Sequence, residues 1–302
     1  MNSIAENLDK DYTINSIRLH LRDHPSEEDK AWVIVEGETD QKLFSKLING
    51  RHVEVEQSFS GLNGVLKCVS ELLKETKLKG TGRILGIRDA DFLRLGEEEE
   101  ENPAHIFLTD CHDAEMMMVS CDRAYASVEA EYLRHEKTSY PSREELFTSI
   151  AFLGGVRWLN DSEDLGLNFR GLGLGSFYSP EKPECDKGKC LDEILKRSPK
   201  KKKEISEKEV ESKIQDVSDY LNLCNGHDFQ KAFALCAGSV SESKKGVKDK
   251  EIGRVFRVAY RLEDFKKTDL RRQLKEFSDQ NQVPLFEESL EQTGLKPAVQ
   301  KG

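Results

Sequence analysis

The chain has 302 residues, of which 37% are hydrophobic and 34% charged, and its formal net charge is −10. This length fits one large domain or two of ordinary size. No apolar stretch approaches the length of a membrane span, and the polar first residues lack the apolar core of a signal peptide. The acidic balance counts against a nucleic-acid binder, although a local basic face could still hold phosphates.

Cysteine usage indicates the compartment. The seven cysteines are odd in number and lack the spacing of a disulfide framework, which predicts a reduced, cytoplasmic protein without a membrane. Cys185 and Cys190 are spaced unlike a zinc knuckle, and no second pair follows, so the sequence predicts no zinc site.

The first 140 residues alternate between short apolar runs and amphipathic stretches. The predicted strands are 32–35, 52–57, 83–87 and 104–109. Three helices are predicted between and after these strands. The first begins at Thr39 or Asp40, the second follows a glycine-rich turn at 60–64, and the third begins at Met116. The segment 3–23 is compatible with an amphipathic helix or an extra strand. The order β-α-β-α-β-β-α predicts an α/β fold with a mainly parallel sheet flanked by helices.

The pattern changes after residue 140 and becomes mostly helical. The predicted helices are 142–152, 213–223, 229–237 and 264–277, with a polar linker at 239–250 and a strand or loop at 177–178. We therefore predict two domains. Residues 1–140 form a catalytic α/β domain, and residues 141–302 form a mostly helical region that binds substrate and partner.

Carboxylates follow two of the predicted strands. The first strand runs into Glu36 and the third into Asp89 and Asp91. The carboxyl ends of neighbouring parallel strands meet at one edge of a sheet, where open α/β folds place their sites. Clustered carboxylates raise one another's pKa unless a cation joins them. Hard oxygen ligands suit Mg²⁺ or Mn²⁺, so the pattern predicts a divalent-metal site.

The two acidic segments together resemble the TOPRIM domain. Its pattern is a strand followed by E-G-x-x-D and a later strand followed by D-x-D. Here the two segments read V-I-V-E-G-E-T-D at 33–40 and I-L-G-I-R-D-A-D at 84–91. The resemblance covers roughly residues 30–120 and extends to topoisomerases, bacterial primases and overcoming-lysogenization-defect (OLD) nucleases. It implies a TOPRIM-like sheet and a magnesium-dependent phosphodiesterase.

Within this superfamily the chain is most similar to the TOPRIM effector subunits of the phage anti-restriction-induced (PARIS) antiphage defence system. The signs are the chain length, the acids Asp110, Asp113 and Glu115 before a helix, and the N-G-H-D segment at 225–228. The resemblance implies a toxic nuclease effector that an ABC-type ATPase restrains until infection. It further implies a homodimer in the active state and cleavage of RNA, with tRNA as the expected target.

The resemblance also assigns roles by position. Glu36 matches a general acid/base or metal-binding glutamate, and Asp89 and Asp91 match metal-binding aspartates, which makes these three the predicted catalytic residues. Asp40 matches the aspartate of the first motif, which is expected to hold the metal-binding residues in place through contacts around the site. A last acid is expected after the next strand. Asp110, Asp113 and Glu115 compete for that place, with Glu115 favoured and a helix cap an equal interpretation of Asp113.

Basic residues must hold the nucleic acid. Arg254, Arg257 and Arg261 form one predicted face, with Tyr260 available to stack on an unpaired base. The lysines at 200–203 are a second choice, although a solvated loop is the stronger interpretation there. The His227-Asp228 pair is read as a structural turn or, less favoured, a proton-transfer pair.

Two other functions stay open from the sequence. One is a non-catalytic TOPRIM subunit that binds the ATPase, and the other is a DNA-cleaving nuclease of the OLD type. A topoisomerase or primase accessory protein is disfavoured, because the chain has little room for DNA-gate domains and lacks a zinc module.

Overall fold

The computed structural model describes residues 11–24, 29–59, 61–96, 103–133, 140–240 and 246–287. Its contacts divide the chain into two compact units. The first unit takes the described residues within 1–89, 100–110 and 261–302, and the second takes those within 90–99 and 111–260. Each unit is made of more than one chain segment, and the division between them does not fall at residue 140. The two predicted domains, 1–140 and 141–302, stay a prediction.

The strands are β1 (Ala31–Val35), β2 (Val53–Gln57), β3 (Ile84–Arg88), β4 (Ile106–Leu108), β5 (Tyr178–Ser179) and β6 (Glu184–Cys185). The helices are α1 (Tyr12–Asp23), α2 (Glu38–Leu47), α3 (Gly61–Leu72), α4 (Ala114–Ser120), α5 (Asp122–Tyr132), α6 (Arg143–Glu163), α7 (Lys187–Lys196), α8 (Glu207–Ile214), α9 (Tyr220–Leu223), α10 (Gly226–Val240), α11 (Asp249–Ala259), α12 (Leu262–Phe265) and α13 (Asp269–Asn281). In the described part of the chain, none of these helices combines the length and apolarity that a membrane crossing requires.

The first unit is built on a four-stranded sheet in the order β2-β1-β3-β4. All three strand pairs are parallel. Every residue of β1 and β3 is buried, as expected for the central strands of a parallel sheet covered on both faces. The predicted α/β class with a parallel sheet and a mostly helical C-terminal region is confirmed.

Helices α1 and α3 cover one face of the sheet. Ile17 of α1 and Val65 of α3 pack with Trp32, Ile34 and Ile84 in one apolar cluster. Side chains alternate between the faces of a strand, so Val33 and Leu85 point to the other side. The segment 3–23, which the sequence left open, is a helix over its described part.

Rings from α2, α12 and α13 add further contacts to the first unit. Phe44 of α2 lies edge-on to Phe265 of α12, with ring centroids 6.2 Å apart. Phe277 of α13 contacts Phe107 of β4, with centroids 5.3 Å apart. The C-terminal helices therefore complete the α/β unit, although the sequence assigned them to a separate region.

The second unit is helical around an aromatic core. Tyr125 of α5 lies 6.2 Å from both Phe233 of α10 and Phe256 of α11, measured between ring centroids. Phe147 of α6 lies 4.9 Å from Phe229 of α10. The short strands β5 and β6 pair antiparallel beside these helices, which settles the strand-or-loop alternative at 177–178 in favour of a strand at Tyr178.

Three predicted helices of the C-terminal half differ in extent. The helix predicted at 213–223 is wrong as a single element, since α8 ends at Ile214 and Asp219 caps the separate helix α9. The helix predicted at 142–152 continues to Glu163. The helix predicted at 264–277 is two helices, because Thr268 caps a new start. Residues 241–245 of the predicted linker lie outside the described residues.

Gly86 in β3 allows α3 to approach the sheet closely. A Cβ at this position would lie 2.6 Å from Val65 Cγ1 and 2.9 Å from Ile106 Cδ1. We expect Gly86→Ala to lower the free energy of unfolding by about 1–3 kcal/mol, because an extra methyl overpacks the core. Urea unfolding measures this change.

Gly175→Ala is the matched control. A Cβ at Gly175 would meet nothing within 4 Å, so we expect a change below about 0.5 kcal/mol. Equal stability of the two variants would contradict the close packing of α3 on β3.

Candidate functional site

Glu36 and Asp89 lie at the carboxyl edge of the sheet, directly after β1 and β3. Glu36 Oε1 accepts a hydrogen bond from the backbone N–H of Asp89 at 3.0 Å. The two strands are neighbours in the sheet, with Ile34 paired to Gly86. The structure therefore brings together two of the three predicted catalytic residues.

The loop after β2 wraps around the backbone of Glu36. The Ser58 N–H donates to Val35 O at 2.8 Å. The Ser58 hydroxyl lies within hydrogen-bonding distance of Gly61 O at 3.0 Å and Glu36 O at 3.3 Å. Gly61 has a φ of 57°, and a Cβ there would come within 3.7 Å of Glu36 Oε2. Ser58 thus ties the end of β1 to the start of α3, and the left-handed backbone of Gly61 favours a glycine at this turn.

Asp40 has a structural contact in the first turn of α2. Its Oδ2 accepts the backbone N–H of Gly37 at 3.0 Å, and the side chain is buried. This bond fixes the chain immediately after Glu36, which suits a supporting role. Participation of Asp40 in metal binding stays a prediction.

Asp91 belongs to the second unit, where His112 holds it. Its backbone adopts the left-handed region with a φ of 47°, and its N–H donates to His112 O at 2.8 Å. Asp91 Oδ1 lies 3.9 Å from His112 Nε2. The His112 Nδ1 donates to Asn222 O at 3.2 Å, and burial lowers the pKa of the imidazole. The predicted grouping of Asp91 with Glu36 stays a prediction.

Sequence reasoning passed over His112, although it lies in the acidic segment that was singled out. Phe92 packs on its ring, with centroids 4.7 Å apart. A single buried histidine gives no periodic pattern in the sequence. Its contact with Asp91 is therefore visible only in the folded structure.

Two of the three acids after β4 are helix caps. The Asp110 carboxylate accepts the backbone N–H groups of Asp269 and Leu270 at 2.7 Å each, which caps α13. The Asp113 carboxylate accepts the N–H groups of Met116 and Gly226 at 2.7 Å each, at the starts of α4 and α10. The helix-cap interpretation of Asp113 is confirmed.

Glu115 lies in the first turn of α4 and is buried. Burial raises the pKa of its carboxyl group, and the Asp113 charge raises it further, while His227 and Arg257 act in the opposite direction. Burial therefore disfavours the charged form of this carboxyl group relative to a glutamate in water. The choice of Glu115 as the last acid of a metal site stays a prediction.

The donor atoms at the sheet edge suit magnesium only in part. Among the described residues, no group of three or more His, Cys, Asp or Glu side chains is placed to hold a metal ion. Glu36 and Asp89 nevertheless provide carboxylate oxygens at one edge. Mg²⁺ is commonly held by one or two carboxylates and completed by waters and substrate phosphates. This pair fits such an ion better than it fits an all-protein cage.

The predicted nucleic-acid face is only partly accessible. Arg254 and Arg257 lie on α11, the first exposed and the second half-buried, and Arg261 is exposed before α12. Tyr260 is 1% exposed. The stacking role predicted for Tyr260 does not fit this structure, because a ring inside the core offers no face to a base.

The two remaining candidates are structural. Within the lysine loop, Lys203 pairs with Glu163 at 2.7 Å and Lys201 with Glu204 at 3.2 Å, as expected for a solvated loop. His227 and Asp228 lie in the first turn of α10, where the His227 N–H donates to Asn225 Oδ1 at 3.0 Å, so the segment is a capped helix start and not an isolated turn. Buried Asp228 instead pairs with Arg157 at 2.7 Å.

An aromatic pair beside the site was missed by the sequence reasoning. Tyr12 and Phe59 are 60% and 44% exposed, and their rings meet edge-to-face with centroids 5.7 Å apart. Phe59 has a φ of 58°, a strained conformation for a bulky residue. The Thr13 hydroxyl donates to Gln57 O at 2.6 Å and anchors α1 at the end of β2. Two isolated aromatic residues far apart in the chain give no sequence signal.

Comparison with known proteins adds no assignment. No protein-family model matches the chain. No curated protein matches it in sequence. The resemblance to the TOPRIM family therefore stays a prediction.

The raised pKa of Glu115 predicts a pH-dependent stability. Its pKa is raised in the folded state, so its favourable contribution is complete below the unfolded pKa of about 4.3 and is lost as pH rises through the folded pKa. Glu115→Gln removes this titration. In EDTA we expect the melting temperature of the variant, relative to the unaltered protein, to be higher at pH 8 than at pH 5.

Glu129→Gln is a control for the loss of an acidic side chain on the neighbouring helix α5. It should shift the melting temperature similarly at both pH values. A pH-independent effect of Glu115→Gln would contradict a raised pKa at this position.

Proposed function

We propose that this chain is a metal-dependent nuclease of the TOPRIM type. The observation that carries the proposal is the contact of Glu36 with the Asp89 backbone, at the carboxyl edge of two adjacent parallel strands. This is the region of an open α/β sheet where ligands bind. The two acidic segments that resemble the TOPRIM motif supply these residues.

The groups of the site would hold a metal ion and orient the carboxylate of Glu36. Glu36 and Asp89 would hold Mg²⁺ or Mn²⁺ through carboxylate oxygens, with Asp91, Asp40 and Glu115 as further proposed contributors. When bound, the ion supplies charge neutralisation at the phosphate and acidifies a water. The Asp89 N–H fixes one oxygen of Glu36, so this carboxylate keeps one orientation for ion binding or for accepting a proton.

The proposed substrate is RNA, with tRNA as the expected target. The net charge of −10 requires a local basic face for phosphate binding. Arg254, Arg257 and Arg261 are the proposed face. The exposed rings of Tyr12 and Phe59 offer the stacking surface that buried Tyr260 lacks, and structured RNA presents unpaired bases for stacking.

The biological setting is proposed from the resemblance alone. It comprises a toxic effector of antiphage defence, an ABC-type ATPase that restrains it, a homodimer in the active state and a cytoplasmic location. Co-purification with an ATPase encoded beside this chain tests the partner, and light scattering tests the dimer. DNA cleavage in place of RNA cleavage would favour the OLD-type alternative.

Glu36→Ala tests the proposed chemistry. We expect RNA cleavage in Mg²⁺ to fall by about 10²–10⁴-fold, because a positioned carboxylate is removed. Growth arrest on expression should disappear with it. Folding should persist, since Glu36 is only half-buried at a strand end. Cleavage assays, colony counts and circular dichroism measure the three effects.

Glu38→Ala is the matched control, because Glu38 is exposed two residues further on and pairs with Lys42. It should retain cleavage and toxicity. A folded Glu36→Ala protein that stays fully toxic would place the chemistry elsewhere. A chain that never cleaves nucleic acid but binds the ATPase would favour the non-catalytic alternative.

Replacing Arg254, Arg257 and Arg261 together by glutamine tests the basic face. Each phosphate contact on single-stranded nucleic acid contributes about 0.7 to the slope of log affinity against log salt. We therefore expect the slope to become shallower by about 2. Fluorescence anisotropy with labelled RNA over a salt series measures it.

A Tyr12→Ser, Phe59→Ser double variant provides the contrast. Loss of stacking should weaken RNA binding by about the same factor at every salt concentration, since no charge is removed. An unchanged slope in the arginine variant would exclude that face and direct attention to the lysines at 200–203.

A further inference from the structure

Arg88 is the last residue of β3 and immediately precedes Asp89. It is only 8% exposed, and its Nε is shielded from solvent without a hydrogen-bond partner. Among the described residues, no hydrogen bond or ion pair to its guanidinium group is found. In the part of the chain that the structure describes, this largely buried cation therefore has no anionic side chain as a partner.

This situation is unfavourable in the protein by itself. Arginine stays charged at all ordinary pH values, and a buried charge normally requires a partner of opposite sign. Arg157 follows this rule, since it pairs with buried Asp228 at 2.7 Å. Arg271 has an aromatic ring as its partner, with its guanidinium carbon 3.5 Å from the ring centroid of Phe286. Arg88 differs from both, which indicates that its partner is a ligand.

The position of Arg88 indicates where the ligand would bind. Side chains alternate along a strand, so Arg88 leaves β3 on the same face as Ile84 and Gly86, the face that α3 covers. The register that pairs Ile34 with Gly86 brings Glu36 level with Arg88 when continued by two residues. The guanidinium group thus belongs to the edge of the sheet that holds the carboxylate pair.

We propose that Arg88 binds a phosphate group of the nucleic-acid substrate at this edge. The planar guanidinium matches two phosphate oxygens through parallel N–H···O bonds, and the phosphate supplies the missing negative charge. This inference rests on the proposed nuclease function and names the residue that recognises the substrate's backbone. It assigns Arg88 to phosphate binding, whereas Glu36 and Asp89 act on the metal.

Arg88→Met tests the inference, because methionine keeps an apolar stem and removes the charge. Binding is measured in a Glu36→Gln background, in which cleavage is expected to be off. We expect RNA affinity to fall at least about tenfold, as for loss of one charge-assisted contact. Inorganic phosphate should raise the melting temperature of the Glu36→Gln protein but not that of the double variant. If only RNA raises the melting temperature of the Glu36→Gln protein, the site recognises a phosphate within a polymer. If RNA and inorganic phosphate both raise it, the site binds phosphate in general.

Two controls keep the result interpretable. Arg18→Met removes an exposed arginine that pairs with Glu75 and should leave RNA affinity unchanged. Arg88→Lys keeps a charge but loses the planar fork, so it should bind RNA several-fold more weakly even if Arg88→Met fails to fold. RNA affinity of both Arg88 variants equal to that of Arg18→Met would overturn the inference.

The design separates this inference from the proposed function. RNA cleavage that depends on Glu36 but not on Arg88 would support the nuclease and exclude the phosphate role of Arg88. Phosphate binding that depends on Arg88 in a chain that cleaves no nucleic acid would support the anion site and exclude the nuclease.

Discussion

The hydrogen bond from the Asp89 N–H to Glu36 Oε1 is the contact on which the candidate site depends. It exists because β1 and β3 are adjacent and parallel, so that both strands end at the same edge. The adjacency in turn depends on burial of both strands between helices, which near-continuous apolar sequences allow. A change in the β1–β3 register by one residue would turn Glu36 to the other face and break this contact.

The other acids predicted for the site show how an acidic chain divides its carboxylates between structure and chemistry. Asp110 and Asp113 each accept two backbone N–H groups, and Asp40 accepts one near the start of α2. These bonds stabilise helix starts, where unpaired N–H groups need acceptors. Glu36 instead accepts from the neighbouring strand, and burial raises the pKa of Glu115. Residue type alone therefore does not distinguish a cap from a site residue.

The sequence was a good guide to the parallel sheet, because buried strands and amphipathic helices leave strong periodic patterns. It placed Glu36 and Asp89 together for the same reason. It could not separate Asp110, Asp113 and Glu115, since both partners of Asp110 and one of the two partners of Asp113 lie more than a hundred residues away in the chain. Tyr260 was misjudged because a polar neighbourhood of arginines suggested exposure, whereas the ring is buried at the end of α11. His112 and the Tyr12–Phe59 pair depend on tertiary contacts that no local pattern encodes.

Arg88 and the two carboxylates carry opposite charges at one edge of the sheet. Glu36 and Asp89 place negative charge where a cation would lower their mutual repulsion, and Arg88 places a positive charge that no anionic side chain of the described residues meets. A carboxylate of the protein beside Arg88 would pair with it and remove its affinity for phosphate. A magnesium-bound phosphodiester would suit both kinds of group, because the ion would meet the acids while the phosphate oxygens would meet the guanidinium. The unpaired charge is then a cost in stability that is recovered when substrate binds, as in sites that are preorganised for a ligand.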